Sequence, residues 1–210
     1  MKKTYDYFDA AHMCSHDYLL PSLDQIVLRA AEENHNLTIL DLGCGNGSLC
    51  GYFSGKGYKT TGVDSSLTGI QIAKKNHPAS SFFCFSIDES VPIEFKDKFD
   101  IVISTEVIEH LFAPRNLLGF AKECLKPGGM LLVSTPYHGY LKNLMLSITN
   151  RWDRHFTVEW DGGHIKFFSV SSLRRMVIES GFENTYYRFV GRVPYLSKSM
   201  ICIARKPRKD

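Results

Sequence analysis

A short apolar run that ends in closely spaced glycines constrains this chain more than any other feature. Thr38-Ile39-Leu40-Asp41-Leu42 leads straight into Gly43-Cys44-Gly45-Asn46-Gly47. An apolar run of that length, bounded by glycines, reads as a buried strand. Glycines at its end let the backbone turn tightly and come close to whatever lies beyond. The same rhythm continues along the chain. Lys59 to Asp64 is a second strand, followed by a helical stretch to about Asn76; residues 81–87 make a third strand, Phe99 to Ser104 a fourth and Met130 to Ser134 a fifth. A helix starts at Pro114, carries Leu117, Leu118, Ala121 and Leu125 on one face, and stops at Lys126-Pro127-Gly128-Gly129, as start and stop signals predict. Residues 22–33 place Leu23, Ile26, Val27 and Ala30 at helical spacing ahead of the first strand. Strands alternating with helices build a parallel α/β sheet with right-handed crossovers.

Two stretches depart from that rhythm. A helix over 170–180, capped by Ser169 and stopped by Gly181, precedes two strand-like runs at 184–190 and 198–204. No helix fits between those runs, so they are expected to form a hairpin. Residues 136–168 hold a short amphipathic helix (Leu141, Leu144, Met145, Ile148) and then an aromatic, glycine-containing stretch. An insertion at a strand's carboxyl end is where α/β proteins build substrate loops. The 210 residues fit a single domain, with 1–36 as an N-terminal helical cap and 136–168 as a substrate-side insertion.

Composition narrows the function classes. The 44% apolar and 22% charged fractions are those of an ordinary globular protein. A net charge of +3 argues neither for a nucleic-acid groove nor for a membrane surface. The cysteines at 14, 44, 50, 84, 124 and 202 include no C-x-x-C pair, which fits neither a zinc knuckle nor a disulfide framework and suggests a reducing compartment. The polar N-terminus lacks a signal-peptide core, and no apolar run is long enough to span a bilayer. The expected location is the cytoplasm. His12, His16, His35 and His77 lie in polar surroundings and are expected at the surface.

In open α/β sheets a ligand lies outside the carboxyl ends of the strands, where Gly43, Gly45 and Gly47 stand with a helix N-terminus beyond them. Asp64 ends the second strand 17 residues after Gly47, placed to accept both hydroxyls of a ribose. The loop reads G-x-G-x-G with an acid two positions before its first glycine, unlike the G-x-G-x-x-G of nicotinamide enzymes. An acid there suits a cationic ligand and is awkward beside a pyrophosphate.

Ile39-Leu40-Asp41-Leu42-Gly43-Cys44-Gly45-Asn46-Gly47-Ser48-Leu49, then Gly62-Val63-Asp64, then Phe99-Asp100-Ile101-Val102, resembles the class I S-adenosylmethionine-dependent methyltransferases, and the likeness runs from residue 37 to about 205. The resemblance implies a three-layer, Rossmann-like α/β fold whose seven-stranded sheet is mostly parallel with an antiparallel last strand. It also implies that Asp41 and the backbone from Gly43 through Cys44, Gly45 and Asn46 to Gly47 hold the methionine moiety of S-adenosylmethionine, with Asp64 on the ribose. Ile87 and Asp88 would sandwich and accept from the adenine, although Asp88 also reads as a loop-capping residue. Ser65 and Ser104 complete the implied cofactor set.

After the fourth strand the chain reads Thr105-Glu106-Val107-Ile108-Glu109-His110-Leu111. If a helix begins here, Glu106, Glu109 and His110 share one face at i, i+3 and i+4. Two carboxylates and an imidazole converging there would repel and desolvate each other without a cation, so a divalent magnesium, manganese or zinc ion is one expectation. The other is that acids simply open a helix with no metal bound. Glu-Val-Ile-Glu-His-Leu resembles two branches of the family, the ubiquinone-biosynthesis O-methyltransferases and the small-RNA 3′-end 2′-O-methyltransferases. In both, a further histidine precedes an aromatic–hydroxyl segment; here Gly163-His164-Ile165-Lys166-Phe167-Phe168-Ser169 matches, 54 residues after His110. Glu106, Glu109, His110 and His164 are therefore the candidate catalytic residues and metal ligands, with His138 competing for the fourth position.

Either His110 or His164 would serve as general base for a phenol, or a metal would lower the pKa of a vicinal diol. Tyr137, Tyr140, Trp152, Phe156, Trp160, Phe167 and Phe168 would wall a pocket for an apolar or aromatic acceptor. Lys142, Arg151, Arg154 and Lys166 are too few, and too mixed with Asp153, Glu159 and Asp161, for an RNA track. The leading expectation is O-methylation of a small catechol- or quinol-like molecule. An RNA-end or nucleoside 2′-O-methyltransferase and a non-catalytic S-adenosylmethionine-binding partner subunit are the alternatives. Oligomeric state is not legible.

Overall fold

The computed structural model describes residues 16–156, 163–192 and 195–208. Residues 1–15 of the expected N-terminal cap, with His12, and Trp160 of the aromatic set lie outside them.

Successive side chains of a strand point to opposite faces of its sheet, and β1 (Thr38–Leu42) shows how this chain uses both. Leu40 and Leu42 go to one face, where they join Val102, Leu131 and Val133 in one core cluster. Ile39 goes to the other, with Ile101, Ile103 and Leu132. Continuous apolar runs such as Ile101-Val102-Ile103 follow directly from a sheet buried on both sides. The first layer is closed by α4 (Pro114–Cys124) and α7 (Val170–Glu179), through Leu117, Leu118, Ala121, Leu173 and Val177. The second is closed by α1 (His16–Glu33) and α2 (Ser48–Gly55), through Leu19, Leu23, Ile26, Val27 and Phe53. Helices on both faces of one sheet make the three layers.

The sheet adds β2 (Lys59–Asp64), β3 (Ser81–Cys84), β4 (Phe99–Thr105), β5 (Leu125–Pro136), β6 (Glu183–Val190) and β7 (Ser199–Arg205). Its seven strands run in the order β3-β2-β1-β4-β5-β7-β6. β1 pairs in parallel with β2 and β4, and β4 with β5. β7 runs antiparallel to both β5 and β6, so the hairpin forms as expected and the last strand is the reversed one. α3 (Leu67–Asn76) links β2 to β3. The insertion after β5 carries α5 (Tyr140–Ile148) and α6 (Trp152–Phe156).

Four local departures from the expected elements are seen. α1 already includes His16, ahead of residue 22, and Leu19 joins Leu23, Ile26 and Val27 on one buried stripe. β3 stops at Cys84 instead of running to 87. β5 starts at Leu125, immediately after α4, and takes Pro127-Gly128-Gly129 within an irregular register opposite β4. No α-helix begins at Glu106: that residue takes a left-handed φ of 54° and is followed by a single 3₁₀ turn at Ile108–His110. The i, i+3, i+4 face expected there does not form.

Two further results concern exposure. His16 is buried, with Nδ1 3.1 Å from Ser48 Oγ, and His77 is partly buried, whereas His35 is exposed as expected. α5 forms where its periodicity predicts, yet Leu141, Leu144, Met145 and Ile148 face outward and Lys142 is buried. The Lys142 ammonium donates to Tyr137 O at 2.8 Å and Lys198 O at 3.3 Å, and those bonds fix the helix with its polar side inward.

Candidate active site

The glycine loop is held from below by β2. Gly43 N and Cys44 N both donate to Val63 O, at 2.8 and 3.0 Å. Gly43 and Gly47 take φ of 81° and 77°, a region that costs any residue with a Cβ. A Cβ on Gly43 would stand 2.5 Å from Val107 Cγ2, and one on Gly47 2.7 Å from Ala73 Cβ. Val107 lies two residues before Glu109, so the glycine loop and the Glu109–His110 turn pack directly on one another.

Asp64 braces this loop. Its Oδ2 accepts from Gly45 N at 2.8 Å and its Oδ1 from Ser66 N at 2.7 Å. Each oxygen keeps a second lone pair, so the ribose role stays open. Burial raises the Asp64 pKa, and the backbone donors of Ser66, Gly45 and Ser65 pull it back. Asp41 is buried deeper. Burial first, and then the Asp64 charge, push its pKa up to about 7, eased by the Cys50 thiol. Its Oδ1 has no hydrogen-bond partner among the described residues. A buried carboxylate oxygen left unpaired fits a cationic ligand group, such as an amino group or a sulfonium.

The remaining cofactor candidates divide. Asn46 is buried and its Oδ1 accepts from Ser48 N at 3.3 Å, in the turn that leads into α2. Cys44 is buried, and burial holds its thiol far above the range of a reactive thiolate. Ser104 donates to Leu42 O at 2.8 Å, which pins β4 to β1. Ser65 is exposed, its carbonyl 3.8 Å from the Cys84 sulfur. Ile87 packs partly buried against the core, while Asp88 is exposed and accepts from Asn116 Nδ2 at 3.0 Å.

Beside the loop, Glu109, His110 and His164 bring their ligand atoms within 4.8 Å of one another. The backbone builds this meeting: Ile165 N and Lys166 N both donate to Glu109 O, at 3.0 and 2.9 Å. The imidazoles of His110 and His164 lie 4.9 Å apart at 70°. His110 Nδ1 is 3.2 Å from Gly163 O; a carbonyl only accepts, so Nδ1 carries the proton and Nε2 is the basic nitrogen. Glu109 is fully buried. Burial and the nearby Glu106 carboxylate push its pKa well above the usual range, and Thr135 stands close enough to ease it slightly without closing a hydrogen bond. Neither Glu109 oxygen has a hydrogen-bond partner among the described residues.

Glu106 does not join this group. Its Oε1 accepts from Ser134 Oγ at 2.7 Å and its Oε2 from Ser199 Oγ at 3.1 Å. Ser199 in turn lies 3.2 Å from the Tyr18 hydroxyl, so Glu106 ties α1, β5 and β7 together. The left-handed turn at Glu106 leaves its carboxylate on Ser134 and Ser199, still near enough to Glu109 for its charge to act there.

The insertion brings His138, Trp152, Phe156 and Phe167, all named from the sequence, together with Asn143, which the sequence reading passed over. These five line a cavity of about 470 Å³, joined by Ser169 and Ser172 of the α7 cap. His138 is buried, and desolvation followed by the Lys142 charge lowers its pKa to about 4. His164 also falls to about 4, through burial and then His110. The buried Lys142 drops to about 8, chiefly by desolvation. The signal for Lys142 and Asn143 was present: they are the one polar pair inside Tyr140-Leu141-Lys142-Asn143-Leu144-Met145-Leu146.

A sheet of this order, with a glycine loop and two acids at the carboxyl ends of β1 and β2, defines a nucleoside-cofactor-binding α/β domain of the methyltransferase type. The methyltransferase domain family model matches residues 15–187, and the chain belongs to that family, whose cofactor is S-adenosylmethionine. A ubiquinone biosynthesis O-methyltransferase of Bradyrhizobium sp. (strain ORS 278) is 35% identical over 153 residues, 69% of this chain and 57% of the relative. A second, from Bradyrhizobium diazoefficiens, is 32% identical over 171 residues, 77% of this chain and 64% of the relative. The chain thus spans about 57–64% of the length of these relatives. Among solved structures, an S-adenosylmethionine-dependent methyltransferase from Methanosarcina mazei superposes with a TM-score of 0.65 at 19% identity, covering 83% of this chain and 94% of its own. The [4+2]-cyclase SpnF does so at 0.67 and 18%, covering 98% and 87%. Among the described residues, no helix is long and apolar enough to cross a membrane.

Proposed function

We propose that this protein transfers the methyl group of S-adenosylmethionine to an oxygen of a small phenolic molecule of the catechol or quinol type. The observation that carries the reading is the Glu109–His110–His164 group, whose carboxylate is buried, on the turn whose Val107 packs against the glycine loop, with His138 of the aromatic-lined cavity near enough to His164 to feel its charge. The names of the Bradyrhizobium relatives agree with it.

Asp41, Asp64 and the loop backbone bind and orient the donor. The sulfonium is already activated, so the protein's task is to place the acceptor oxygen in line with the methyl group and to remove its proton. A phenol titrates near ~10 and needs a base at neutral pH. His110 Nε2, oriented by the Nδ1 bond to Gly163 O, takes that proton. The O–CH₃ bond forms as the S–CH₃ bond breaks; S-adenosylhomocysteine leaves with the sulfur electron pair and the proton stays on His110.

The unpaired oxygens of Glu109 favour a second reading of the same group. One carboxylate and two imidazoles fit a zinc- or manganese-type divalent cation, and Glu109, His110 and His164 would hold it without Glu106. When bound, such an ion lowers the pKa of a coordinated phenol.

Incubation with labelled S-adenosylmethionine and catechol tests the proposal: monomethylated catechol is expected, and its formation is expected to be lost in His110→Ala with cofactor affinity intact. Absence of methyl transfer to any dihydroxybenzene rejects it. Metal analysis and EDTA treatment separate the two readings, since activity that survives a metal-free preparation leaves His110 as the base.

A further inference from the structure

The methyl-transfer reading uses Glu109, His110 and His164 and leaves His138 and Asn143 without a task. These two side chains form the polar end of the 470 Å³ cavity. Its wall is flat. Trp152 stacks on Phe156 at 17° and 5.0 Å, and Phe156 stacks on His138 at 19° and 5.5 Å. Phe167 stands edge-on to both, 4.4 Å from Phe156 and 5.3 Å from His138. Such a ladder of rings with one edge-on neighbour suits a planar aromatic guest, by offset stacking and edge-to-face contact.

The polar end has an unmet requirement. Asn143 Oδ1 is a buried acceptor that closes no hydrogen bond among the described residues; His138 stands close enough to act on it without reaching bonding geometry. Buried acceptors are nearly always paired, so this one asks for a donor from a ligand. His138, which stands beside it, is uncharged at neutral pH and has one N–H to give. One hydroxyl group satisfies both residues, donating to Asn143 Oδ1 and accepting from the His138 N–H.

We propose that His138 and Asn143 form a hydroxyl-reading subsite that holds a second oxygen of a planar aromatic acceptor, apart from the oxygen that is methylated. The proposal rests on the phenolic reading of the acceptor and sharpens it: the acceptor carries two hydroxyl groups on one ring, and the subsite discriminates it from a monophenol. His138 and Asn143 are specificity residues, while proton removal stays with His110. Lys142 and His164 lie near enough to His138 for their charges to act on it, and Ser169 and Ser172 also line the cavity, their hydroxyls engaged in the capping box of α7.

Calorimetric titration of the full chain loaded with S-adenosylhomocysteine, using catechol and phenol as paired probes, tests this. Wild type is expected to prefer catechol. Asn143→Leu is expected to weaken catechol by about tenfold, the scale of one buried hydrogen bond, and phenol by less than about twofold. His138→Phe keeps the ring ladder and removes the N–H, so it should shift the same ratio and gives an answer even if Asn143→Leu fails to fold. Equal weakening of both probes, no weakening in either variant, or no catechol binding to wild type overturns the subsite. The two proposals fail separately. Catechol that binds and is discriminated through Asn143 without being methylated leaves the subsite standing and removes the reaction. Catechol that is methylated with an unchanged catechol-to-phenol KM ratio in both variants does the reverse.

Discussion

Asp41 shows how a single residue can be costly to the empty protein and useful to the loaded one. Its folded pKa of about 7 stands above the ordinary 3.8 because burial and Asp64 oppose its charge. Above both values the folded chain carries a charge that the unfolded chain holds in water, at a cost on the order of 4 kcal/mol. The sign follows from the raised folded value: this cost is absent below about pH 4, grows as the pH rises, and is complete above about 7. Asp41→Asn removes the titration. Denaturant unfolding without ligand is expected to show the variant more stable at pH 8, by on the order of 3 kcal/mol, with the gap closing as the pH falls toward 4. S-adenosylmethionine affinity in the same variant should fall by at least about tenfold, the loss of one charge-assisted contact. A variant that keeps full affinity, or gains no stability at pH 8, removes Asp41 from the donor site.

Elements decide which residues can meet, and they explain what was legible beforehand. The glycine loop and Asp64 could be read from the chain because each is placed by its own strand end, a local matter of spacing. The Glu106 face could not, since it assumed a helix at a point where the backbone turns left-handed and Ser134 and Ser199 claim the carboxylate. His164 was found by its motif, yet what brings it to His110 is main-chain bonding of Ile165 and Lys166 to Glu109 O. Burial of His16 depends on Ser48, 32 residues away, and polarity of neighbours in sequence says nothing of that. The segment carrying His164 runs directly into α7, whose Ser169 accepts from Ser172 N in a reciprocal capping box. Ser169→Ala should lower stability by about 1 kcal/mol. Because the cap also ends the His164 segment, methyl transfer should fall more than the lost stability explains. Circular-dichroism melts paired with initial rates check this, and a stability loss with unchanged rates would confine Ser169 to capping.

At the scale of the whole molecule the fold alone does not choose a reaction, since a methyltransferase and a [4+2]-cyclase superpose on it about equally well. The choice lies in what stands at the carboxyl ends of the strands, and most of that is carried by the insertion between β5 and α7. This region is built differently from the rest. α4 and α7 bury apolar stripes against the sheet, whereas α5 buries Lys142 and leaves Tyr140 at 84% and Ile148 at 69% exposure. Segments with little buried apolar surface open at low free-energy cost, and ligand-binding parts are drawn from them. Trypsin acting on the native protein should therefore cut first after Arg151, which is exposed between α5 and α6, before it cuts at Lys74, Lys75 or Arg115 on helices docked to the sheet. A ligand that fills the aromatic cavity bridges His138 and Asn143 to Phe156, so catechol with S-adenosylhomocysteine should slow that first cut several-fold and leave later ones unchanged. Mass spectrometry of the earliest fragments gives the answer. An initial cut on α3 or α4, or an Arg151 cut indifferent to both ligands, would mean that the insertion is as firmly held as the sheet and that acceptor binding does not order it.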